Sequence, residues 1–236
     1  MIRRLLAGLM FVALAQGADL AAGKFLVASR ELGDPNFAEA VILLVHYDEE
    51  NGAMGLIVNR RSDVPLSRVF HDLKEAKDNS DTIYVGGPVE PGGVLALLKA
   101  SSRPEDAERV FGDVYLISTK ALFAKAMADK NVSFHAYLGY AGWGRGQLEH
   151  EIDLGAWHIM PAVAGEVFHS DPDSVWPRLI KRTETRIARL FTPQRVDRID
   201  VHRAPRGNVA CRRGDGEHQQ RDAAQDPRIV RADLEQ

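Results

Sequence analysis

Apolar runs broken by glycine, proline, asparagine and aspartate clusters divide this chain into short segments. Residues 24–29 (KFLVAS) form one such run and predict a strand. Residues 40–47 (AVILLVHY) are β-branched and leucine-rich, as expected of a strand covered on both faces. The polar stretch after them ends in Asn51-Gly52, a hairpin signal, so residues 53–59 become the return strand. Further strands are expected at 82–85, 94–99, 114–118, 132–140 and 156–161. Helices are expected at 65–73, with Pro65 in its first turn, and at 120–129, capped by Thr119. Two more are expected at 147–153 and at 174–190, the last interrupted early by Pro177. Strands and helices interleave irregularly around a hairpin. That pattern predicts an α+β or mixed α/β domain and excludes a doubly wound parallel sheet.

The two ends differ from this middle. Arg3 and Arg4 precede an uncharged apolar run, residues 5–15, and the small residues Ala15 and Gly17 precede Ala18. This is the layout of a secretory signal peptide over residues 1–17. The run is too short for a membrane span, which needs roughly 20 residues, so no stable span is expected once the segment is cleaved. Export would place the mature chain in the periplasm or outside the cell. The alternative is a cytoplasmic protein whose residues 1–17 form a buried helix. After about Thr192 the composition changes to nine arginines, eight acids, no lysine and no aromatic residue. Apolar residues there follow no period, so residues 191–236 are expected to be a disordered tail beyond a folded domain at 18–190.

Charge and cysteine content narrow the function. The formal charge is −3, and loss of Arg3 and Arg4 would make it −5. An acidic chain without a helix-turn-helix pattern argues against direct nucleic-acid binding. The single cysteine, Cys211, lies in the tail and excludes an intramolecular disulfide and a multi-cysteine zinc site.

Several motifs come in order: Gly23-Lys24-Phe25-Leu26-Val27-Ala28-Ser29, Asp34-Pro35-Asn36-Phe37 and the stretch from Gly52 to Arg60 (GAMGLIVNR). Val85-Gly86-Gly87-Pro88-Val89, the stretch from Gly139 to Glu149 (GYAGWGRGQLE) and Gly155-Ala156-Trp157 complete the set. Over residues 23–180 the chain resembles the YqgE/AlgH family of bacterial proteins. The resemblance implies a compact α+β domain with a barrel-like, largely antiparallel, bifurcated sheet flanked by helices. It implies no established enzymatic activity, and a proposed role in transcriptional regulation. Family members usually start near the Gly-Lys-Phe motif and look cytosolic, so the export signal and the long tail are departures.

Candidate chemistry was sought in these motifs and outside them. Gly142, Gly144 and Gly146 could direct backbone N–H groups at an anion, but the spacing is no nucleotide fingerprint and Trp143 crowds the loop. A tight turn with Trp143 packed as a lid is the simpler reading. Gly86-Gly87 and Gly92-Gly93 read as bulges or turns where a neighbouring strand comes close. Glu149 and Glu151 lie two apart and face different ways on a helix, whereas Glu149 and Asp153 would share a face. His46, His71, His135, His150, His158 and His169 show no metal-ligand spacing, and no metal or cofactor is expected. His46 and His135 sit in apolar strands and read as core histidines. Ser29 and Ser118 lie at strand ends without an identifiable base, and no Gly-x-Ser-x-Gly elbow occurs. Arg60 and Arg61 end the hairpin's second strand.

The leading expectation is a non-catalytic binding or regulatory module for an unidentified small ligand or protein. Its candidate pocket is Tyr140, Trp143, Arg145, Gln147 and Trp157, with Arg60 and Gly87. Aromatic rings would supply contact area, and the polar side chains would set orientation. A transcriptional regulator touching nucleic acid is the alternative. A hydrolase assembled from Glu149, a histidine and a serine on separate loops is the third possibility weighed.

Overall fold

The computed structural model describes residues 20–77 and 79–191, with side chains up to 186. The expected signal segment and tail, and Cys211, lie outside the described residues. The described part falls within one compact unit that ends at Pro193.

Ten strands follow in chain order: β1 (Lys24–Ala28), β2 (Val41–Asp48), β3 (Gly52–Ile57), β4 (Arg61–Pro65) and β5 (Thr82–Val85). Then come β6 (Val89–Lys99), β7 (Glu108–Phe111), β8 (Val114–Ile117), β9 (Ser133–Trp143) and β10 (Trp157–Pro161). The helices are α1 (Leu66–Val69), α2 (Lys74–Lys77), α3 (Lys120–Ala128), α4 (Gln147–Asp153), α5 (Ala164–Val167) and α6 (Val175–Phe191). One continuous sheet path runs β10-β1-β2-β3-β9-β6-β8-β7, antiparallel throughout. The result is an α+β domain built on a curled, half-barrel sheet, as the motifs imply.

The sheet branches at β9. One edge of this strand pairs with β6 along most of its length. Its other edge is shared. Tyr137 and Leu138 pair in parallel with Tyr84 and Val85 of β5, and Ala141–Trp143 pair antiparallel with Ala53–Gly55 of β3. Gly86 closes the fork: its N–H donates to Leu138 O at 2.7 Å and its carbonyl accepts from Ile57 N at 2.9 Å. A Cβ on Gly86 would stand 2.3 Å from Gly139 O, and one on Gly87 would stand 2.2 Å from the Tyr140 carbonyl carbon. Gly139 also holds φ +67°, a region that disfavours residues with a Cβ.

Alternation along the strands sorts side chains into two cores. Tyr84, Leu97, Leu116 and Tyr137 face a large core with β1–β3 and α6. Their chain neighbours Ile83, Ala96, Tyr115 and Ala136 face a second core under α1, α2 and α3. β1 is buried on both faces, and α6 lies against it through Val175, Trp176, Leu179 and Ile180 at helical spacing. Each fully buried Leu, Ile or Val contributes about 1.5–3 kcal/mol relative to exposure. Among the described residues no helix is long and apolar enough to cross a membrane.

Three expectations needed revision. The helix expected over 65–73 shortens to α1 (Leu66–Val69): Pro65 ends β4 as the helix N-cap rather than sitting in its first turn, the chain turns at 70–72, and α2 lies beyond the expected span. The glycine-rich segment does not end β9, which runs on to Trp143. Pro177 does not interrupt α6, because it sits in the first turn, where its missing N–H costs no helical bond. Alanine at Gly86 should cost about 2–3 kcal/mol in urea unfolding, because the fork has no room for a methyl group. Alanine at Gly92, where nothing stands within 4 Å, should change stability by less than about 0.5 kcal/mol.

Candidate functional site

The motif residues meet around one carboxylate. α4 begins at Gly146, which takes φ +73° and turns the chain from β9 into the helix. One turn into α4, Glu151 accepts three hydrogen bonds. Trp143 Nε1 and Trp157 Nε1 donate to its Oε2 at 3.0 and 2.8 Å, and Gln147 Nε2 donates to its Oε1 at 3.0 Å. The two indoles meet edge to face with centroids 6.1 Å apart. Phe37 packs on both, at 6.3 Å from Trp143 and 5.8 Å from Trp157. Both tryptophans are buried. Glu151 therefore ties β9, α4 and β10 together.

The loop that carries Phe37 is held from its other side. Asn59 donates its Nδ2 to Glu39 O at 2.9 Å and accepts from Val41 N at 2.8 Å. Arg60 donates to the carbonyls of Asn36 at 2.6 Å and Ala38 at 3.2 Å. Asp34 caps the turn by accepting from Asn36 N at 2.8 Å. The Asp-Pro-Asn-Phe and Asn-Arg motifs thus form one loop and its clamp.

Beside the tryptophan cluster a groove crosses the sheet. Its wider part, about 400 Å³, is lined by His46, Asn51, Met54, Val89, Tyr140 and Trp143, with Gly52, Ala53 and Gly142 in its floor. Met54 and Tyr140 also line a second part of about 290 Å³, with Glu90, Val94 and Leu95. Met54 and Tyr140 border both hollows, which together are called the trough below. A Cβ on Gly142 would lie 3.2 Å from Tyr140 Cε2, so glycine there lets the ring lie close to the sheet. Between Val89 and Val94, β6 bulges out against a single two-residue step of β9. Residues 90–93 therefore stand up beside the trough.

The expected pocket residues fall into three places. Tyr140 and Trp143 line the trough, and Gly87 lies against the Tyr140 backbone at the fork. Gln147 and Trp157 stand behind Trp143 and act through Glu151. Arg145 is exposed and pairs with Glu50 at 3.0 Å. Arg60 is apart from these, clamping the Phe37 loop, and borders a separate polar hollow with Arg61, Asp173 and Trp176.

The other candidates are placed as follows. The Gly144 N–H, considered for an anion, donates to Gln147 Oε1 at 3.2 Å. Glu149 accepts from the Tyr47 hydroxyl at 2.7 Å, and this bond, with burial second, pushes the tyrosine up to about 12. Asp153 is exposed. His46 is exposed at an irregularity of β2 and is not a core histidine. His135 is half-buried with its Nδ1 out of reach of solvent, stacked on Tyr84 at 4.6 Å and tilted on Phe168 at 5.1 Å. Burial lowers it from 6.5 to about 4, so it is neutral at ordinary pH. Ser29 is buried and Ser118 is exposed. Among the described residues no three His, Cys, Asp or Glu side chains gather as a metal site would require. Glu151, expected only to face away from Glu149 on the helix, has a role that sequence could not show, because its partners include two indoles, one of which joins from a different strand. The only signal for it was a glutamate four residues after Gln147 on α4.

The sequence and the α+β half-barrel fold are both matched by known proteins. The family described as AlgH-like (DUF179) matches residues 25–188. A UPF0301 protein of Streptomyces avermitilis is 33% identical over 179 residues, covering 72% of this chain and 90% of the relative. One from Chromobacterium violaceum is 36% identical over 149 residues, covering 61% and 80%. The crystal structure of a Corynebacterium diphtheriae protein superposes with TM-score 0.60 at 25% identity, over 70% of this chain and 87% of that one. The solution structure of the AlgH protein of Pseudomonas aeruginosa superposes with TM-score 0.55 at 31% identity, over 72% and 89%. This chain belongs to the AlgH-like family, whose members here are uncharacterised.

Two outcomes are expected. Glu151→Ala strands two buried indole N–H groups and should cost about 3 kcal/mol or more in urea unfolding, with altered tryptophan fluorescence. Glu149→Ala frees only the Tyr47 hydroxyl and should cost about 1 kcal/mol. His135 gives a pH dependence of known sign. The unfolded chain takes up its proton near 6.5 and the folded one near 4. Its stabilising contribution is therefore complete above 6.5 and is lost as the pH falls from 6.5 through 4. About 3 kcal/mol should vanish across that window. Urea midpoints at about pH 7 and about pH 4 should show this loss shrinking in His135→Phe.

Proposed function

We propose that the chain is a binding or regulatory module without catalysis of its own, and that its ligand seats in the trough over Met54 and Tyr140. The observation that carries this reading is the contrast between the trough and the residues around it. Trp143, Glu151 and Trp157 are fully engaged with one another, and Asn59 and Arg60 are committed to the Phe37 loop. Met54, Val89, Val94, Leu95 and Tyr140 are left half-buried in two hollows that share Met54 and Tyr140. Apolar depressions of this size, with a few polar groups at the rim, suit small-molecule binding. In this reading the tryptophan cluster is the support and the trough is the contact surface.

Two of the residues considered for acid–base work are occupied elsewhere. Glu149 holds Tyr47, and the neutral His135 lies in the aromatic interior. A fragment screen by heteronuclear NMR on the full-length chain tests the reading. Fragments should shift the Met54 methyl and Tyr140 ring signals. Tyr140→Ala should weaken the best of them about tenfold while lowering the melting temperature little. Fragments that bind but leave Met54 and Tyr140 unmoved would overturn the trough as the site.

A further inference from the structure

We infer that the trough takes a small ligand with a flat apolar body and a cationic end, the cation meeting Glu90. The inference rests on the trough being the binding site and adds the class of ligand. The body follows from the lining. Gly142 leaves the sheet bare beside the Tyr140 ring, and Tyr140, Met54 and Leu95 supply an aromatic face, a polarisable thioether and an alkyl wall. Such a surface accepts a planar group with little reorganisation.

The cationic end follows from the charges. Of the two arginines expected at this site, Arg145 is paired with Glu50 and Arg60 is committed to the carbonyls of Asn36 and Ala38. Glu90 forms no ion pair among the described residues, yet it lines the narrower part of the trough beside Val94 and Leu95. It stands on the β6 bulge at φ +47°, a backbone conformation uncommon outside glycine. An unpaired carboxylate at the edge of an apolar depression favours a positive group over a neutral or negative one. Tyr140 lines the same hollow, so its ring offers a cation–π attraction to a positive group seated there.

Tryptamine and indole-3-propionate carry the same flat body with opposite charge, and they are the probes. Each is titrated into the full-length chain while the Met54 methyl signal is followed. Tryptamine should shift that signal and bind at least about tenfold tighter than indole-3-propionate. Glu90→Gln should remove most of this preference, whereas Glu108→Gln, at the exposed carboxylate on β7, should leave it intact. Urea unfolding of Glu90→Gln should match the parent, since the side chain is exposed. Equal binding of the two probes, or a preference untouched by Glu90→Gln, overturns the cationic assignment. If other fragments shift Met54 and tryptamine does not, the ligand class fails and the binding site stands. If no fragment shifts Met54, both fail.

Discussion

Everything in this fold depends on three chain segments passing through one place without side chains between them. At the fork, β9 must release β5 and accept β3 on the same edge within three residues. The backbone of Gly86 spans the gap, giving a hydrogen bond to one strand and taking one from another. Backbones meet there at distances that exclude a methyl group. Because the fork sets the course of β9, it also sets the two cores. The strand's early half is covered by α3 and its neighbours, and its late half is joined to the hairpin of β2 and β3. Tyr140 and Trp143 follow the fork directly, so the trough and the tryptophan cluster inherit their positions from it.

The cluster around Glu151 is the second constraint. A carboxylate with three donors is charge-assisted and directional, unlike the apolar contacts around it. It fixes the two indoles, and Phe37 then fixes the loop of residues 34–39 against them. Asn59 and Arg60 complete the hold by satisfying carbonyls that a loop would otherwise leave to water. The packing of the exposed motifs is thus mostly mutual support, and the trough is what the support surrounds.

How much of this was legible in the sequence varied with how local the cause was. The β2–β3 hairpin was readable because Asn51-Gly52 specifies its turn, and Gly52 indeed takes φ +96°. The helix α3 was readable because Thr119 caps it, accepting from Leu122 N. β4 and β7 were missed because Arg61, Asp63, Glu108 and Arg109 give them no apolar signal. Both are short strands on the margin of the sheet, where one face meets water. The long course of β9 was missed because glycine ordinarily reads as a break, whereas here Gly139 and Gly142 serve close approach inside a strand. At the site, Tyr140 and Trp143 were visible as aromatic residues in a glycine-rich motif. Met54, Val89, Glu90 and Leu95 were not, because only the pairing of β3, β6 and β9 brings them together.

The pairing of β1 with β10 has a consequence for the order in which the chain is made. Lys24 lies opposite Pro161, and Ala28 lies opposite Trp157. A ribosome emits β1 among the first folded residues and its partner only after nearly the whole domain has emerged. Until then one border of the most deeply buried strand lacks its hydrogen-bonding mate, and the helix that covers it has yet to be synthesised. One of the first strands to be made is therefore completed only by the last-made segments of the domain, β10 and α6.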